Sequence, residues 1–388
     1  MPESSMTETL STEQHAALPV RIATRIIFFI AGFGMSSWAP LVPFARQRLD
    51  IDDASLGMLL LCLGIGSLLA MPAAAPMAGR LGCKPLLIVA AAVMGLALPA
   101  LVIADSVFTV GLSLLVFGMG LGAMDITMNI QAVAVEKASG RAMMSGFHGF
   151  FSIGGICGAG LVSLLLWLGL NPLWSVMIVV LVILALLLYA AGDFLSDRPE
   201  NDAGPLFVMP HGKVMFIGAL CFILFLTEGA MLDWSALFLT LERGLDSAMG
   251  GLGYALFSIA MTLGRLNGDR LINAIGRYRT LLAGSLCASA GIGLAIAVNQ
   301  PYVTLLGFML VGLGASNLVP LLFSVVGNQK DMPPNLALAA ISGVGYAGIL
   351  AGPALIGFIA HLTSLFVAFG CVALLLLVVS GSARRATQ

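Results

Sequence analysis

The sequence predicts an all-α membrane protein in which twelve transmembrane helices form two pseudo-symmetric six-helix bundles. Three observations predict this fold class. Of the 388 residues, 59% are apolar and only 10% are charged, whereas a soluble domain carries about 25% charged residues. The apolar runs are about 20 residues long, which is the length of a membrane-spanning helix. Landmarks of the first half of the chain also recur in the second half.

Helices are preferred to a closed barrel, the other fold that can satisfy its backbone hydrogen bonds in hydrocarbon. A barrel strand would be a segment of about ten residues with alternating polarity, and the apolar runs do not show that pattern. The runs, separated by Gly, Pro and charged residues, give twelve predicted spans. In chain order, spans 1 to 12 cover residues 21–44, 55–77, 85–103, 107–135, 142–169, 172–192, 214–241, 249–270, 280–298, 302–327, 335–360 and 363–381.

The polar segment 193–213 divides these spans into an N-terminal bundle, 21–192, and a C-terminal bundle, 214–381. This segment is rich in Asp, Pro and Gly, a composition typical of a loop. Residues 1–20 are polar and lack the basic region of a cleavable signal peptide. They are therefore predicted to form an N-terminal tail, and residues 382–388 a C-terminal tail.

The Lys and Arg residues orient the spans. With the N-terminus in the cytoplasm, all but three of the 18 Lys and Arg residues fall on the cytoplasmic side or at the helix ends there, Arg265 of span 8 included. The exceptions are Arg46, Arg48 and Arg243. Because cytoplasmic loops are enriched in basic residues, both termini and the central loop are predicted to be cytoplasmic.

Four landmarks recur in register in the two halves. Trp38 of span 1 corresponds to Trp234 of span 7, and "GLGAMD" of span 4 corresponds to "GLGASN" of span 10, which pairs Asp125 with Asn317. The segment "PMAGRLGCKPLL" after span 2 corresponds to "LINAIGRYRTLL" after span 8, and "ICGAGL" of span 5 to "LAGPAL" of span 11. This repetition indicates a duplicated six-helix unit.

The loops after spans 2 and 8 carry parts of a signature, G-x-x-x-D-R-x-G-R-R. The residues kept are Arg80, Gly82 and Lys84 in the first copy and Gly276 and Arg277 in the second. With these residues, the 6+6 spans and the polar central loop, the chain resembles the major facilitator superfamily. The resemblance implies the major facilitator fold and a gating role for the two loops. Gly79 and Asn273 stand where the signature has its acid, so the charge relay attributed to the motif is not expected in that form.

Two spans carry acidic motifs. Asp125-x-x-x-Asn129 in span 4 resembles the Glu-x-x-x-Asn of the fucose/proton symporter branch of the superfamily. Glu228-Gly229-x-x-x-Asp233-Trp234 in span 7 resembles uncharacterised bacterial inner-membrane members near that branch. The superfamily architecture places spans 1, 4, 7 and 10 around a central cavity, so the resemblance implies that Asp125 and Glu228 face each other there. A sugar substrate does not follow from it.

Asp125 and Glu228 are predicted to lie near the middle of the membrane and to couple transport to protons. A carboxylate in hydrocarbon costs a few kcal/mol, and an acid kept there is by default functional. Proton coupling requires a carboxyl group that can load and lose a proton. His148, level with Asn129 across the turn between spans 4 and 5, is the third candidate. The alternatives are a structural hydrogen bond from a permanently protonated acid and, for His148, close helix packing.

A second set of residues is predicted to bind the solute. Its members are Asn129, Asn317, Ser37, Trp38, Asp233 and Trp234. The amides and the hydroxyl offer hydrogen bonds, and the two indoles offer faces on which a ring can stack. An aromatic belt at the membrane interface is the alternative role for the indoles. No Lys or Arg is expected in the membrane core, so the two acids favour neutral or cationic solutes over anions.

Other function classes find little support in the sequence. A net charge of −1 without a basic patch argues against a nucleic-acid partner. The six cysteines stand singly without CxxC spacing, which argues against a metal or redox site. "GMGLG" lies within a predicted helix with no strand before it, so it is not a nucleotide loop. No nucleophile motif indicates an enzyme, and no cofactor is expected beyond the proton gradient as energy source.

The sequence therefore predicts a secondary active transporter that moves a small organic solute by alternating access, as a proton-coupled symporter. Its partners would be the solute, protons and the lipid bilayer, and it would act as a monomer in the inner membrane of a bacterial cell. A proton-driven exporter of drugs or metabolites, working by antiport, is the first alternative. A membrane sensor that binds a ligand without transporting it is the second.

Overall fold

A computed structural model of the chain describes residues 15, 17–51, 53–196, 209–245 and 252–388. Every regular element in these ranges is a helix, which confirms the all-α fold class. Most of the predicted N-terminal tail, 1–20, lies outside the described residues, and so does the middle of the predicted central loop, 193–213.

The helices follow the predicted spans closely. In the first half they are Leu18–Ser37, Val42–Leu49, Asp53–Leu81, Cys83–Ile103, Val107–Ser139, Met144–Trp167 and Pro172–Ala190. In the second half they are Gly212–Leu237, Leu252–Ile275, Arg277–Ala297, Pro301–Ala315, Leu318–Gly327, Pro334–Leu362 and Leu365–Thr387. The last helix continues to Thr387 and so includes most of 382–388, the segment predicted to form a tail.

Two spans contain a break. In span 1, the 3-10 turn Ala39–Leu41 separates the long helix from Val42–Leu49. In span 10, the helix stops at Ala315 and restarts at Leu318, with Asn317 at the break. The end of span 7 is also irregular, since Phe238–Glu242 form a π-helical turn. Breaks of this kind free main-chain groups inside a membrane protein, and neighbouring groups must satisfy them.

Eleven helices in the described part of the chain are long and apolar enough to cross a membrane. The helix of span 8, Leu252–Ile275, is not among them, although its 24 residues reach roughly 36 Å at 1.5 Å per residue. Arg265, Asp269 and Arg270 make it more polar than the others. Two of these charged residues, Arg265 and Asp269, belong to the candidate site described below.

The two halves share their helix-terminal signals. Gly82 and Gly276 precede the helices of spans 3 and 9 with φ of 83° and 84°, a left-handed conformation that favours glycine. The helices of spans 4 and 10 are N-capped by Ser106 and Gln300, whose side chains accept hydrogen bonds from the main chain three residues later. The duplicated landmarks of the sequence therefore have duplicated structural roles.

The outer ends of spans 1 and 7, as predicted from the charge distribution, are joined to neighbouring helices by arginine. Arg48 donates from Nε to Ala104 O (2.9 Å) and from Nη2 to Leu101 O (2.7 Å). Arg243 donates from Nη2 to Ala295 O (2.6 Å). Both side chains thus cap the C-terminus of the third span of their half, span 3 for Arg48 and span 9 for Arg243, where unpaired carbonyl groups and the helix dipole favour a cation.

The chain divides into two compact units. Unit 1 consists of Met1–Arg141, Phe150–Val208 and Pro333–Ala339, and unit 2 of Ala142–Gly149, Met209–Met332 and Ala340–Gln388. The start of span 5 thus belongs to unit 2 and the start of span 11 to unit 1. Within unit 1, span 4 packs against spans 2 and 3, and within unit 2, span 10 packs against spans 8 and 9.

Candidate functional site

In unit 1, the centre of span 4 presents Asp125 with a partly exposed side chain. Asn129 lies one turn further along and is fully buried. Its Nδ2 donates to the main-chain carbonyl of Asp125 at 2.8 Å and lies 3.5 Å from Asp125 Oδ1. The predicted pair therefore shares one helix face, with the amide directed back towards the acid. Asn129, predicted to bind the solute, sits in the interior of the unit.

Below this pair, Gln131 forms a polar connection that the sequence analysis did not identify. Its side chain is fully buried. Nε2 donates to Thr24 Oγ1 at 3.0 Å, and Oε1 accepts from the main-chain N of Leu195 at 3.1 Å. Gln131 therefore joins span 4 to span 1 and to the chain just after span 6.

The other predicted residues of unit 1 take structural positions. The Ser37 hydroxyl donates to Phe33 O at 2.6 Å within its own helix. Trp38 is buried, and its indole N–H has no hydrogen-bond partner among the described residues. In the gating loop, Arg80 is exposed in the last turn of span 2. The main-chain N of Lys84 donates to Leu195 O at 2.9 Å.

In unit 2, span 7 and span 8 are joined by an ion pair. Arg265 Nη2 lies 3.3 Å from Glu228 Oε1, and Arg265 Nε donates to Ser316 O at 3.3 Å. The side chains of Arg265 and Glu228 are 10% and 20% exposed. Glu228 lies near the middle of span 7, as predicted, and Arg265 must lie at the same depth to reach it.

Arg265 corrects two predictions. Arg265 does not lie at a cytoplasmic helix end, and its ion pair with Glu228 near the middle of span 7 contradicts the prediction that the membrane core holds no Lys or Arg. The predicted span 8 ended at residue 270, whereas the helix continues to Ile275. Arg265 therefore lies ten residues before the helix end, roughly 15 Å along the axis. The predicted preference for neutral or cationic solutes assumed that no basic residue lies in the membrane core, so it loses its basis.

Further polar groups of unit 2 surround the pair. The charges of Glu228, Arg265 and Asp233 act on the phenol of Tyr254, which is exposed on span 8. Asp233 is itself exposed. Trp234 resembles its counterpart Trp38 in that its indole N–H is buried without a hydrogen-bond partner among the described residues.

Asn317 occupies the break in span 10, at the position that corresponds to Asp125. Its Nδ2 donates to Gly264 O (3.2 Å) and to Ser316 Oγ (2.9 Å). Its Oδ1 is buried, has no hydrogen-bond partner in the described part of the chain, and lies against Gly268. A Cβ at Gly268 would overlap this oxygen, so the small residue is required for Asn317 to pack there.

The start of span 5 contacts span 8 within unit 2. Gly146 N donates to Asp269 Oδ2 at 2.9 Å, and Ala142 N donates to Asn273 Oδ1 at 3.1 Å. A carboxylate at the N-terminus of a helix is favoured by the dipole and the free N–H groups. The acid that the signature places at Asn273 is therefore supplied by Asp269 one turn earlier, a substitution the sequence analysis missed.

The two remaining predicted residues of unit 2 also have identified neighbours. The ring of His148 packs edge-on against Phe323, with centroids 6.0 Å apart, and the charge of Arg265 acts on it. Arg277 of the gating loop donates from Nη2 to Ser324 Oγ at 3.2 Å. The prediction that Asp125 and Glu228 face one cavity concerns two different units and stays a prediction.

A duplicated bundle of membrane-spanning helices, with acids at mid-span and irregular helices beside them, defines the class of secondary transporters. A family model described as the Major Facilitator Superfamily matches residues 26–329. The chain belongs to the major facilitator superfamily. It is therefore a multi-pass membrane transporter that takes a small-molecule substrate, and it is not an enzyme.

Two curated relatives extend over most of the chain. An uncharacterized MFS-type transporter of Yersinia pestis is 60% identical over 95% of this chain and 96% of its own length. The membrane protein MosC of Rhizobium meliloti is 33% identical over 87% of this chain and 83% of its own length.

Solved structures show the same fold at low sequence identity. The E. coli fucose:proton symporter superposes with a TM-score of 0.80 at 16% identity, covering 96% of this chain and all of its own. A proton:xylose symporter superposes with a TM-score of 0.70 at 13% identity, covering 95% of each chain. These likenesses confirm the major facilitator fold that the sequence predicted.

Proposed function

We propose that the protein is a proton-coupled symporter that moves a small organic solute across the inner membrane of a bacterial cell by alternating access. It would work as a monomer with both termini in the cytoplasm, and the proton gradient, rather than a bound cofactor, would supply the energy. Asp125 is the proposed coupling residue. Proton coupling as the mode is supported by the similarity to two symporters of known structure, one for fucose and protons and one for xylose and protons.

The observation that carries this proposal is the setting of Asp125. It is a partly exposed acid at mid-span whose side chain has no ion-pair partner among the described residues, and whose hydrogen bond to Asn129 is 3.5 Å long. A carboxylate in such a place is costly unless it takes up a proton or reaches water. An acid that is protonated when shielded from water and charged when exposed to water can carry a proton across the membrane.

The energy available fits this role. A proton that crosses a potential of 100 mV releases about 2.3 kcal/mol. That free energy supports roughly a fiftyfold accumulation of solute for each proton. Asp125 must then be charged in one state of the cycle and protonated in another, so a neutral residue at this position should uncouple transport from the gradient.

The test uses Asp125→Asn in proteoliposomes. A thermal-shift screen of metabolites on the purified wild-type chain identifies a stabilising solute, which is then supplied in radiolabelled form. Wild-type protein should accumulate this solute when the outside is acidic. Asp125→Asn should lose accumulation and keep exchange of labelled for unlabelled solute. Asp193→Asn, which changes an exposed acid at the very end of span 6, should behave as the wild type.

Three results would contradict the proposal. If Asp125→Asn accumulates the solute as the wild type does, Asp125 is not the coupling residue. If the wild type moves the solute only against the direction of proton flow, the protein is an antiporting exporter. If the solute stabilises the protein but never crosses the bilayer, the protein is a sensor rather than a transporter.

A further inference from the structure

The Arg265–Glu228 pair of unit 2 is a second polar centre whose chemistry differs from that of Asp125. We infer that Arg265 is the binding residue for an anionic group of the solute, namely a carboxylate, which takes the place of Glu228 on the guanidinium. This inference rests on the proposed transport function and adds the chemical class of the solute. It replaces the expectation of a neutral or cationic solute, which assumed a membrane core without basic residues.

The guanidinium is presented in a way that suits a carboxylate. Arg265 Nε donates to the main-chain carbonyl of Ser316 at 3.3 Å, at the break in span 10, which turns one edge of the guanidinium towards the backbone there. Arginine offers five donors in a rigid planar fork that matches the two oxygens of a carboxylate. A site of this kind binds a carboxylate in a defined orientation.

The contact with Glu228 leaves room for exchange. Arg265 Nη2 and Glu228 Oε1 are 3.3 Å apart, whereas tight charge-assisted hydrogen bonds are about 2.7–2.9 Å long. Arg265 is buried, whereas the side chain of Glu228 remains 20% exposed. A buried ion pair is poor at stabilising a fold, since the loss of hydration can exceed the attraction of the charges. A loosely held, partly accessible pair is better explained by a function in which its partner changes.

Exchange of partners would link the solute to a proton. When a carboxylate binds Arg265, two anions would share one cation unless Glu228 takes up a proton. The proton would come from water and reside on Glu228 while the solute is bound, and Glu228 would release it as it pairs with Arg265 again. Each carboxylate would therefore enter unit 2 together with one proton and leave the net charge of the pair unchanged, and accumulation would in addition require the proton carried by Asp125.

Few other charged or titratable residues in the described part of the chain can affect the protonation of Glu228 beside Arg265. From span 8, Arg265 and the phenol of Tyr254 interact with the charge of Glu228, and Asp233 lies five residues further along the helix of Glu228. From span 5, His148 interacts with Arg265. From span 11, Tyr346 packs on Phe225, whose centroid is 6.3 Å away. Among the described residues, the helix Leu318–Gly327 of span 10 carries no titratable side chain, and the arginines of span 12 lie in its last turn.

Matched pairs of probes test the inference on the purified full-length protein. The probes are lactate and lactamide, gluconate and glucitol, glucuronate and its methyl ester, and succinate and succinamide, each measured by thermal shift against sodium chloride of equal ionic strength. At least one carboxylate should stabilise the wild type, and its uncharged counterpart should bind at least about tenfold more weakly. The affinity for that carboxylate should be higher at pH 6 than at pH 8.

Substitutions then separate recognition from folding. Arg265→Gln should weaken carboxylate binding at least about tenfold. Glu228→Gln mimics the protonated acid, so it should bind the same carboxylate at pH 8 as tightly as the wild type does at pH 6, with the pH dependence lost. This second variant retains Arg265 and guards against a failure of Arg265→Gln to fold. Arg270→Gln, which changes an exposed arginine of the same helix, should bind as the wild type does.

Several results would overturn the inference. These are stabilisation by none of the carboxylates, equal binding of acid and uncharged counterpart, full binding by Arg265→Gln, or loss of carboxylate binding by Glu228→Gln. The experiments distinguish a failure of the symport proposal from a failure of the inference that Arg265 binds a carboxylate. Charge-selective binding without proton-driven flux overturns the symport proposal alone, whereas proton-driven flux of a solute that ignores Arg265→Gln overturns this inference alone.

Discussion

The two units keep the same frame but hold their intramembrane acids differently. Asp125 in unit 1 stands beside an amide, whereas Glu228 in unit 2 stands beside a guanidinium. Arg265 lies eleven residues before Gly276, and the residue eleven before Gly82 is Met71, which is buried. The positive charge that Arg265 brings to unit 2 thus has no counterpart in unit 1, where Met71 occupies the corresponding position. Helix caps and turns were conserved between the halves while the polar chemistry diverged.

The largest expected difference between the units is in the loss of unfolding free energy when the arginine at the outer end of span 1 or of span 7 is replaced. Arg243 is buried, caps Ala295 and Ile296, and lies 4.9 Å from the rings of both Phe238 and Phe366. Its loss leaves buried carbonyl groups unpaired, so Arg243→Gln should lower the free energy of unfolding by about 3 kcal/mol. Thermal unfolding in detergent measures this change.

The matched variant in unit 1 is Arg48→Gln. Arg48 is exposed, so water can replace its hydrogen bonds and the loss should be about 0.5–1 kcal/mol. Equal effects of the two variants would show that the burial of Arg243 is not what makes it stabilising.

The next largest loss of stability is expected when the Arg265–Glu228 ion pair is broken. Arg265→Met introduces the residue found at the corresponding place in unit 1 and leaves Glu228 without its cation. The free energy of unfolding should fall by about 2 kcal/mol, less than for a fully buried pair because the side chain of Glu228 is 20% exposed. The double variant Arg265→Met, Glu228→Gln should recover most of this loss.

Asp125→Asn serves as the comparison for that experiment. Asp125 has no cation to lose, so its substitution should change the free energy of unfolding by less than about 0.5 kcal/mol. A large loss of stability here would indicate that Asp125 acts mainly as a structural hydrogen-bond partner.

Gly268 tests the packing around Asn317. The corresponding residue of unit 1 is Ala74, which carries the Cβ that Gly268 lacks. In unit 2 this Cβ would overlap Asn317 Oδ1, so Gly268→Ala should cost about 1–2 kcal/mol through overpacking. Gly293→Ala is the control, because nothing lies within 4 Å of a Cβ placed there. It should stabilise its helix by up to about 1 kcal/mol.

A smaller loss of stability than for Gly268→Ala is expected at Asp269. The corresponding residue of unit 1 is Ala75, which has no charge. Asp269→Asn removes the charge at the start of span 5 while keeping a side-chain oxygen as acceptor, and should cost about 0.5–1 kcal/mol. Faster hydrogen exchange of the Gly146 amide would locate the loss. Unchanged exchange at Gly146 would show that this hydrogen bond contributes nothing to the start of span 5.

The fold was predictable from the sequence because apolar length and repeated landmarks depend on local composition. The twelve spans and the mid-span location of Glu228 follow from these features, as does the pairing of Asp125 with Asn129. Three residues of the site were missed for different reasons. Arg265 was assigned to a helix end because charge within span 8 shortened its predicted length. The spacing of Arg265 and Asp269, four residues apart on one helix face, was the signal that could have corrected this.

The other two omissions concern tertiary contacts. Asp269 supplies an acid one turn away from its place in the signature, and a pattern search tied to Asn273 does not find it. Gln131 looks like an ordinary polar residue near a helix end. Its partners Thr24 and Leu195 are 107 and 64 residues away in the chain, and no local pattern links them.

Arg48 and Arg243 fasten the far ends of spans 1 and 7 to spans 3 and 9, and this restricts where those spans can flex. Because the tip of each span is tethered, we expect any bending to occur at its irregular turn, Ala39–Leu41 in span 1 and Phe238–Glu242 in span 7. Trp38 adjoins the first of these joints and Trp234 precedes the second by one turn. The indole N–H groups of Trp38 and Trp234 have no hydrogen-bond partner among the described residues. A change in the bend of span 1 or span 7 would therefore move these indoles directly.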